Sequence, residues 1–363
     1  MNRHPVDVKE VVAYYDSISV KPYVRPFLPE GVPDSPLPPI EDILSLNSDM
    51  DPYVRRAASG RTKLFGDPYR VLSFIHLSDV HGVLEIWNRM AGFLNHYGDI
   101  LSFALHTGDY CSGSQAEFID CYAEGIRTRR PILNCVGNHD TVDGDGRKTL
   151  KGPVHEKLFS HTEDWGVSFM PGPLPTAYRK DFPASNLRLF VLDLYYDQEA
   201  EAAWLRKELE GALADGVHVI TAMHQPTAEI VDSPDVTFQN VTDFRAIADY
   251  SEVTPFDGII ADFIRAGGNH VANLAGHYHS DWFGYTKSGV LNIAVACATD
   301  WAGWSEGEKP RGTRSFDCFN VTAVDTNISV LKLVRIGDQV DSFLREKRVL
   351  SYDYKNKKVI YNA

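Results

Sequence analysis

Val71-Leu72-Ser73-Phe74-Ile75-His76-Leu77-Ser78-Asp79-Val80-His81 decides the fold. Residues 71–77 form a nearly continuous apolar run, the pattern of a strand buried on both faces. The run stops on Ser78-Asp79-Val80-His81, where polar side chains meet the start of a loop. Leu84–Tyr97 follows with apolar residues at helical spacing. The same rhythm recurs downstream. Ile100–His106, Ile132–Val136, Leu187–Leu194, Val217–Met223 and Val271–Ala275 read as strands. Gln115–Ile126 and a segment from Gln198 to Leu213 read as helices, the second with Leu205, Leu209 and Leu213 along one face. Strand–helix alternation implies βαβ units and parallel strands.

After Gly276 the helical pattern ends. Trp282–Tyr285, Val290–Ala296, Phe316–Val324 and Ile328–Arg335 read as strands, the last two joined by the turn-forming Asp325-Thr326-Asn327. Short connections predict antiparallel pairing, so the second half of the domain is expected to add a second sheet. The chain divides into a proline-rich arm (1–65), a main domain (66–336) and a charged C-terminal extension (337–363) that can form a hairpin. In the arm, Pro26, Pro29, Pro33, Pro36, Pro38 and Pro39 favour extended backbone. Tyr14, Tyr15, Phe27, Ile43 and Leu44 give it apolar surface, either to pack on the domain or to engage a protein partner.

The 363 residues can bury one large core or two smaller ones. A formal charge of −13 excludes the diffuse positive field that nucleic acid or an anionic membrane would require. Cys111, Cys121, Cys135, Cys297 and Cys318 show no CxxC pairing and read as free thiols in a reducing compartment. The first thirty residues lack an apolar core of the kind a secretory leader carries, so the cytoplasm is the expected address.

Chemistry concentrates where the apolar runs end. Besides Asp79 and His81, the chain offers Gly108-Asp109, Gly137-Asn138-His139-Asp140, Met223-His224-Gln225-Pro226 and Gly276-His277-Tyr278-His279. Open α/β sheets bind ligands at this edge. Asp-x-His alone arises by chance, and a lone His after a strand is more often structural. Paired imidazoles at His277 and His279 are harder to explain without a cation, and alternate residues of an extended segment share a face. Together the five segments read as a metal site.

The ordered set Asp-x-His, Gly-Asp, Gly-Asn-His-Asp, His and Gly-His-x-His resembles the calcineurin-like metallophosphoesterase superfamily, over residues 71 to 336. The resemblance implies a four-layer α/β/β/α sandwich of two mixed sheets between helices, with 66–336 as the catalytic domain. It implies two divalent ions, one held by Asp79, His81, Asp109 and His279, the other by Asp109, Asn138, His224 and His277. Asp109 would bridge them. Two such ions about 3.5–4 Å apart activate a shared water as a bridging hydroxide and clamp an in-line displacement at phosphorus. His139, outside the ligand set, is free to act as acid or hydrogen-bond donor to the leaving group, with Asp140 either orienting it or capping the next segment. Carboxylate, amide and imidazole donors suit Mn, Fe, Zn, Co or Ni alike.

Departures narrow the branch. Protein Ser/Thr phosphatases of the superfamily carry Asp-Arg-Gly where this chain has Asp109-Tyr110-Cys111. Purple acid phosphatases place a metal-binding Tyr where Ser112 stands. Gly-Asn-His-Asp and His224-Gln225-Pro226 are similar to bacterial small-molecule phosphodiesterases. The expected substrate is therefore a small soluble phosphomonoester or phosphodiester. A nucleotide pyrophosphate bond, or a non-catalytic partner-binding role on the same fold, remains open. The long connections 141–166, 225–257 and 298–314 are candidates for specificity. In the last, Trp301, Trp304, Lys309, Arg311 and Arg314 offer aromatic and cationic contacts to substrate, or simply anchor the loop.

Overall fold

The computed structural model describes residues 71–110, 128, 130–141, 159, 165–172, 176–195, 197–232, 253–279, 281–298, 319–336 and 349–362. Strand β1 (Leu72–Leu77) is buried along its whole length. It lies between β2 (Ala104–His106), which runs parallel to it, and β12 (Phe319–Asp325), which runs antiparallel. A central strand with neighbours on both edges and layers on both faces has no solvent side, which is why its sequence does not alternate. β3 (Ile132–Asn134) continues the parallel side. β13 (Val330–Ile336), β14 (Val349–Asp353) and β15 (Lys358–Asn362) extend the antiparallel side, giving the order β15-β14-β13-β12-β1-β2-β3.

The second sheet is built on parallel β6 (Leu187–Val191), β7 (His218–Ala222), β9 (Asn269–Ala275) and β11 (Leu291–Ala294). Antiparallel β4 (Ser168–Phe169) and β5 (Tyr178–Phe182) flank one side; β10 (Trp282–Thr286) and β8 (Ile230–Asp232) flank the other. Phe74, Phe103 and Leu105 of the first sheet share one core with Leu189, Ile220, Leu274 and Ile293 of the second, so the sheets pack face to face. On the outside of the first, helix α1 (Leu84–His96) buries Ile86, Met90 and Leu94 against Ile75, Leu77 and Val321. On the outside of the second, α2 (Gln198–Asp215) and α3 (Pro255–Arg265) bury Leu205, Leu209, Phe256 and Ile260 against Phe190 and Val219. The result is the α/β/β/α sandwich of two mixed sheets.

α2 has sharp chemical ends. The Asp197 side chain accepts from the Ala200 N–H at 3.1 Å, and Gly216 closes the helix in the left-handed region at φ +65°.

The strands after Gly276 differ from expectation. They do not form the second sheet by themselves: β10 and β11 join one sheet, β12 and β13 the other. Pairing of β12 with β1, far earlier in the chain, satisfies the open edge of a strand whose faces are both buried. Helix α3 and strand β8 lie within or across the end of the segment expected to be the long connection 225–257. In the C-terminal segment, β14 and β15 form an antiparallel pair docked on β13. Cys135 is a buried free thiol, and Cys297 is buried as well. No described helix is long and apolar enough to cross a membrane. The arm (1–65), the helix expected at Gln115–Ile126, and Trp301, Trp304, Arg311 and Arg314 lie outside the described residues.

Candidate metal centre

Five strand ends converge. Asp79 and His81 follow β1, Asp109 follows β2, and Asn138 and His139 follow β3; His224 follows β7, and His277 and His279 follow β9. The first three strands belong to one sheet and the last two to the other, so the cluster straddles the edge of the inter-sheet interface. Backbone bonds stitch the loops together: Asp79 N to Gly108 O (3.0 Å), His81 N to Asp109 O (3.1 Å), Gly276 N to His224 O (2.9 Å) and Ala298 N to Ser78 O (2.9 Å).

The backbone reaches these positions at a cost. Asp79 (φ 54°), His81 (50°), Asp109 (59°), His277 (67°) and His279 (55°) all occupy the left-handed region. For a residue with a Cβ this conformation costs roughly 1–2 kcal/mol each, and it clusters at functional sites. It also corrects the reading of His277 and His279 as neighbours on an extended face: both are left-handed, and the Tyr278 N–H turns back onto Gly276 O (2.7 Å).

Glycines make the close approach possible. A Cβ on Gly276 would stand 1.7 Å from Ser78 Oγ and 2.5 Å from Asp79 Oδ2; one on Gly137 would stand 2.2 Å from Asp109 N.

Two donor groups share Asp109. Asp79, His81, Asp109 and His279 each aim one ligand atom into a common space, and Asp109, His224 and His277 do the same beside it. In the first, His81 Nε2 and His279 Nε2 are 3.0 Å apart and His279 Nε2 lies 3.2 Å from Asp79 Oδ1. In the second, His224 Nε2 is 3.2 Å from Asp109 Oδ2 and 2.9 Å from Asn138 Oδ1, which is 3.0 Å from His277 Nδ1. Without a cation these contacts need a proton on one ring nitrogen of each pair; with one, the same atoms turn their lone pairs on the ion. Ligands bound cis around an ion at about 2.1 Å stand about 3.0 Å apart, which is the spacing found. The donor set therefore fits divalent metal.

Tautomers and charges agree. His224 Nδ1 lies 2.7 Å from the Thr107 carbonyl, which only a protonated nitrogen can satisfy; its Nε2 is thereby the atom facing the cluster. Burial pushes Asp79 upward, but the imidazoles of His279, His224 and His81 outweigh it and hold the carboxyl well below its usual range. Asp109 is likewise pushed up by burial and brought down further by His224. Burial, with repulsion from His224, lowers His277 to about 4, and burial also lowers His81. Burial would lower His224 too, yet the Asp109 carboxylate beside it raises it to about 9. Metal entering the second group thus displaces a proton from His224.

His139 differs from the ligands in exposure, with 42% of its side chain accessible against 1% for Asp109. Its Nε2 lies 4.0 Å from Asp109 Oδ2, and its backbone N–H donates to Asp109 Oδ1 at 2.9 Å. Asp140 is fully buried, and its carboxylate accepts the backbone N–H groups of Asp109 (2.9 Å), Tyr110 (2.8 Å) and Gly137 (2.9 Å). It locks the turns that carry Asp109 and Asn138 to one another. Thr107, whose carbonyl sets the His224 tautomer, was invisible in the sequence because a backbone group acts there.

The arrangement defines a metallophosphoesterase-type centre at the edge of a double-sheet sandwich. The chain belongs to the calcineurin-like phosphoesterase family, whose model matches residues 72–287. No curated protein matches the chain. Among solved structures it is similar to a dimetal phosphatase from Danio rerio (11% identity, covering 75% of this chain and 97% of that one, TM-score 0.46). It is also similar to a purple acid phosphatase, PPD1, from yellow lupin (11% identity, 81% and 53%, TM-score 0.46). A third similarity is to GAP50, the anchor in the inner membrane complex of Plasmodium (13% identity, 81% and 88%, TM-score 0.40).

Proposed function

We propose that this protein is a dinuclear metal-dependent hydrolase of a small soluble phosphomonoester or phosphodiester. Asp79, His81, Asp109 and His279 would hold one divalent ion; Asp109, Asn138, His224 and His277 would hold the other. Such ions supply Lewis-acid charge to phosphoryl oxygens and acidify water. The observation that carries the reading is Asp109: its Oδ2 lies 3.2 Å from His224 and 4.0 Å from His81, one carboxylate shared by two donor groups. With two ions the site is net positive against the two acids Asp79 and Asp109, so it attracts a phosphate anion although the chain is acidic overall.

The protein groups divide the remaining work. His139, accessible and beside the shared carboxylate, hands a proton to the leaving oxygen. Asp140 keeps the Asp109 and Asn138 turns in register. The left-handed backbones point five side chains inward before substrate arrives, so little reorganisation accompanies reaction.

Turnover of p-nitrophenyl phosphate and bis-p-nitrophenyl phosphate with Mn²⁺ tests the proposal, and the ratio separates monoesterase from diesterase. Asp109→Asn should lower metal content in both sites. His139→Ala should retain the metals and lose about 10²–10⁴-fold in rate. Equal metal loss in the two variants would refute the division of roles. Cleavage of a dinucleotide at its pyrophosphate, read from the products, would move the reaction to the alternative bond with the same residues.

A further inference from the structure

Tyr195 occupies a place that the ligand set does not explain. It leaves β6, whose parallel neighbour β7 leads directly into His224; Val191 pairs with Ala222, and the Leu192 N–H donates to Ala222 O at 2.8 Å. The Tyr195 ring lies 6.5 Å from the His224 ring, centroid to centroid. It therefore flanks the Asn138–His224–His277 side of the centre, whereas His139, 5.1 Å from His81 ring to ring, flanks the other.

The turn that carries Tyr195 is held at three points. Its own N–H donates to Asp193 Oδ1 at 2.8 Å, the Asp193 N–H donates to Glu201 Oε1 at 2.7 Å, and Gln198 Nε2 donates to Leu194 O at 2.6 Å. Glu201 and Gln198 belong to α2, so the helix fixes the phenol against the sheet edge. Gln225, the residue after His224, donates from Nε2 to the Tyr195 hydroxyl at 3.2 Å. A phenol oxygen that accepts this bond keeps its own proton for donation. Among the described residues no acceptor for that proton is present. Both Tyr195 and Gln225 are half-buried.

We propose that Tyr195 is a substrate-contacting residue whose O–H donates to a non-bridging phosphoryl oxygen on the His224 side of the centre, with Gln225 orienting it. The inference rests on the phosphoesterase reading above. It gives the centre two protein donors at opposite ends: His139 for the leaving group and Tyr195 for a phosphoryl oxygen. Burial, with the carboxylates of Asp109 and Asp193, pushes the Tyr195 phenol well above its ordinary value, which keeps it a donor at all working pH.

Tyr195→Phe in the full chain tests this, with Gln225→Leu and the double variant beside it. Mn²⁺ stoichiometry and thermal midpoint of Tyr195→Phe should match the wild type. Its kcat/KM for p-nitrophenyl phosphate should fall about ten- to a hundredfold, the loss of one hydrogen bond to a charged oxygen. Calorimetric affinity of the Mn²⁺-loaded protein for inorganic phosphate should weaken about tenfold by the same bond. Adding Gln225→Leu to Tyr195→Phe should cost little more, because the amide acts through the phenol. Wild-type phosphate affinity in Tyr195→Phe overturns the inference, and so does a loss matched by an equal loss of Mn²⁺. If the wild type turns over neither ester, the phosphoesterase reading fails, while the phosphate titration still decides Tyr195. A wild type that binds Mn²⁺ but no phosphate sinks both.

Discussion

Gly137→Ala is the sharpest perturbation of the centre. Gly137 is not among the residues with positive φ, so alanine meets no backbone penalty there. By restricting the unfolded chain the change would ordinarily stabilise, by about 0.4–1 kcal/mol. Space decides otherwise. The new Cβ would lie 2.2 Å from both Asp109 N and Asp109 Oδ1, and 2.9 Å from its Cγ. Restoring an ordinary contact of 3.4 Å demands a shift of about 1.2 Å (3.4 − 2.2). Asp109 cannot make that move without stretching its N–H bond to Asp140 and the His139 N–H bond to its own Oδ1, both 2.9 Å. Overpacking of this kind costs about 1–3 kcal/mol, so the net should be destabilising by about 0–2.5 kcal/mol after the entropic gain. The effect on metal should be larger, since coordination tolerates only about ±0.2 Å; Mn²⁺ affinity should fall by about 10–100-fold or more. Gly211→Ala in α2 is the control, because nothing lies within 4 Å of its would-be Cβ; it should stabilise by about 0.5–1 kcal/mol. Urea unfolding and Mn²⁺ calorimetry read both variants. Were Gly137→Ala to match Gly211→Ala in stability and keep wild-type Mn²⁺ affinity, the close packing of these loops would be disproved.

Three further outcomes are expected. Asp140→Asn puts an amide where a carboxylate accepts three N–H groups, so at least one buried donor faces another donor; a stability loss of about 1–3 kcal/mol with weakened metal binding should follow, and unchanged urea and Mn²⁺ midpoints would contradict it. Asp281, which accepts from Ala296 N and pairs with buried Arg335, bridges the start of β10 to β13 of the other sheet. Asp281→Ala should lose about 3–5 kcal/mol by removing a buried carboxylate partner of the guanidinium, and Asp281→Leu with Arg335→Met should recover much of it; equal loss in both variants would count against a charge-based origin. Burial lowers His270 to about 3, so between pH 6.5 and about 3 the unfolded chain binds a proton there that the folded one refuses. Stability contributed by keeping it neutral is intact above pH 6.5 and is lost as pH falls, at about 1.4 kcal/mol per unit. From pH 7 to 5 the wild type should therefore lose about 2 kcal/mol more than His270→Gln, whereas parallel urea curves would refute the burial effect.

Much of the site was legible because its residues interrupt apolar runs. Val71–Leu77 reads as a buried strand, and the Asp and His residues that stop it must sit at its end. What escaped lies in non-local or weakly patterned features. β5, Tyr178-Arg179-Lys180-Asp181-Phe182, is polar in its middle and buries little there, so its strand character comes from pairing with β6. Helix α3 carries Phe256, Ile259, Ile260 and Phe263 at helical spacing after Thr254-Pro255, a readable start that the expected connection 225–257 overlaps. The pairing of β12 with β1 has no local signal at all. The left-handed backbones were equally hidden, because Asp and His tolerate that region without requiring it. The role of Asp140 in fastening two turns depends on three N–H groups brought from separate loops.

Because Asp79, Asp109 and Asn138 ride on one sheet while His224, His277 and His279 ride on the other, a bound ion would act as a rivet between the two sheets, through loops made at different times. A chain emerging from the ribosome would complete its first sheet's acids long before the last imidazole exists, and β12 must still return to close the first sheet around β1. Metal capture would then be a late checkpoint in biogenesis, marking molecules whose two halves have docked. Truncations ending before His277 keep His81 and His224 but lose His277 and His279, so each donor group should be short of one imidazole, whatever secondary structure is retained.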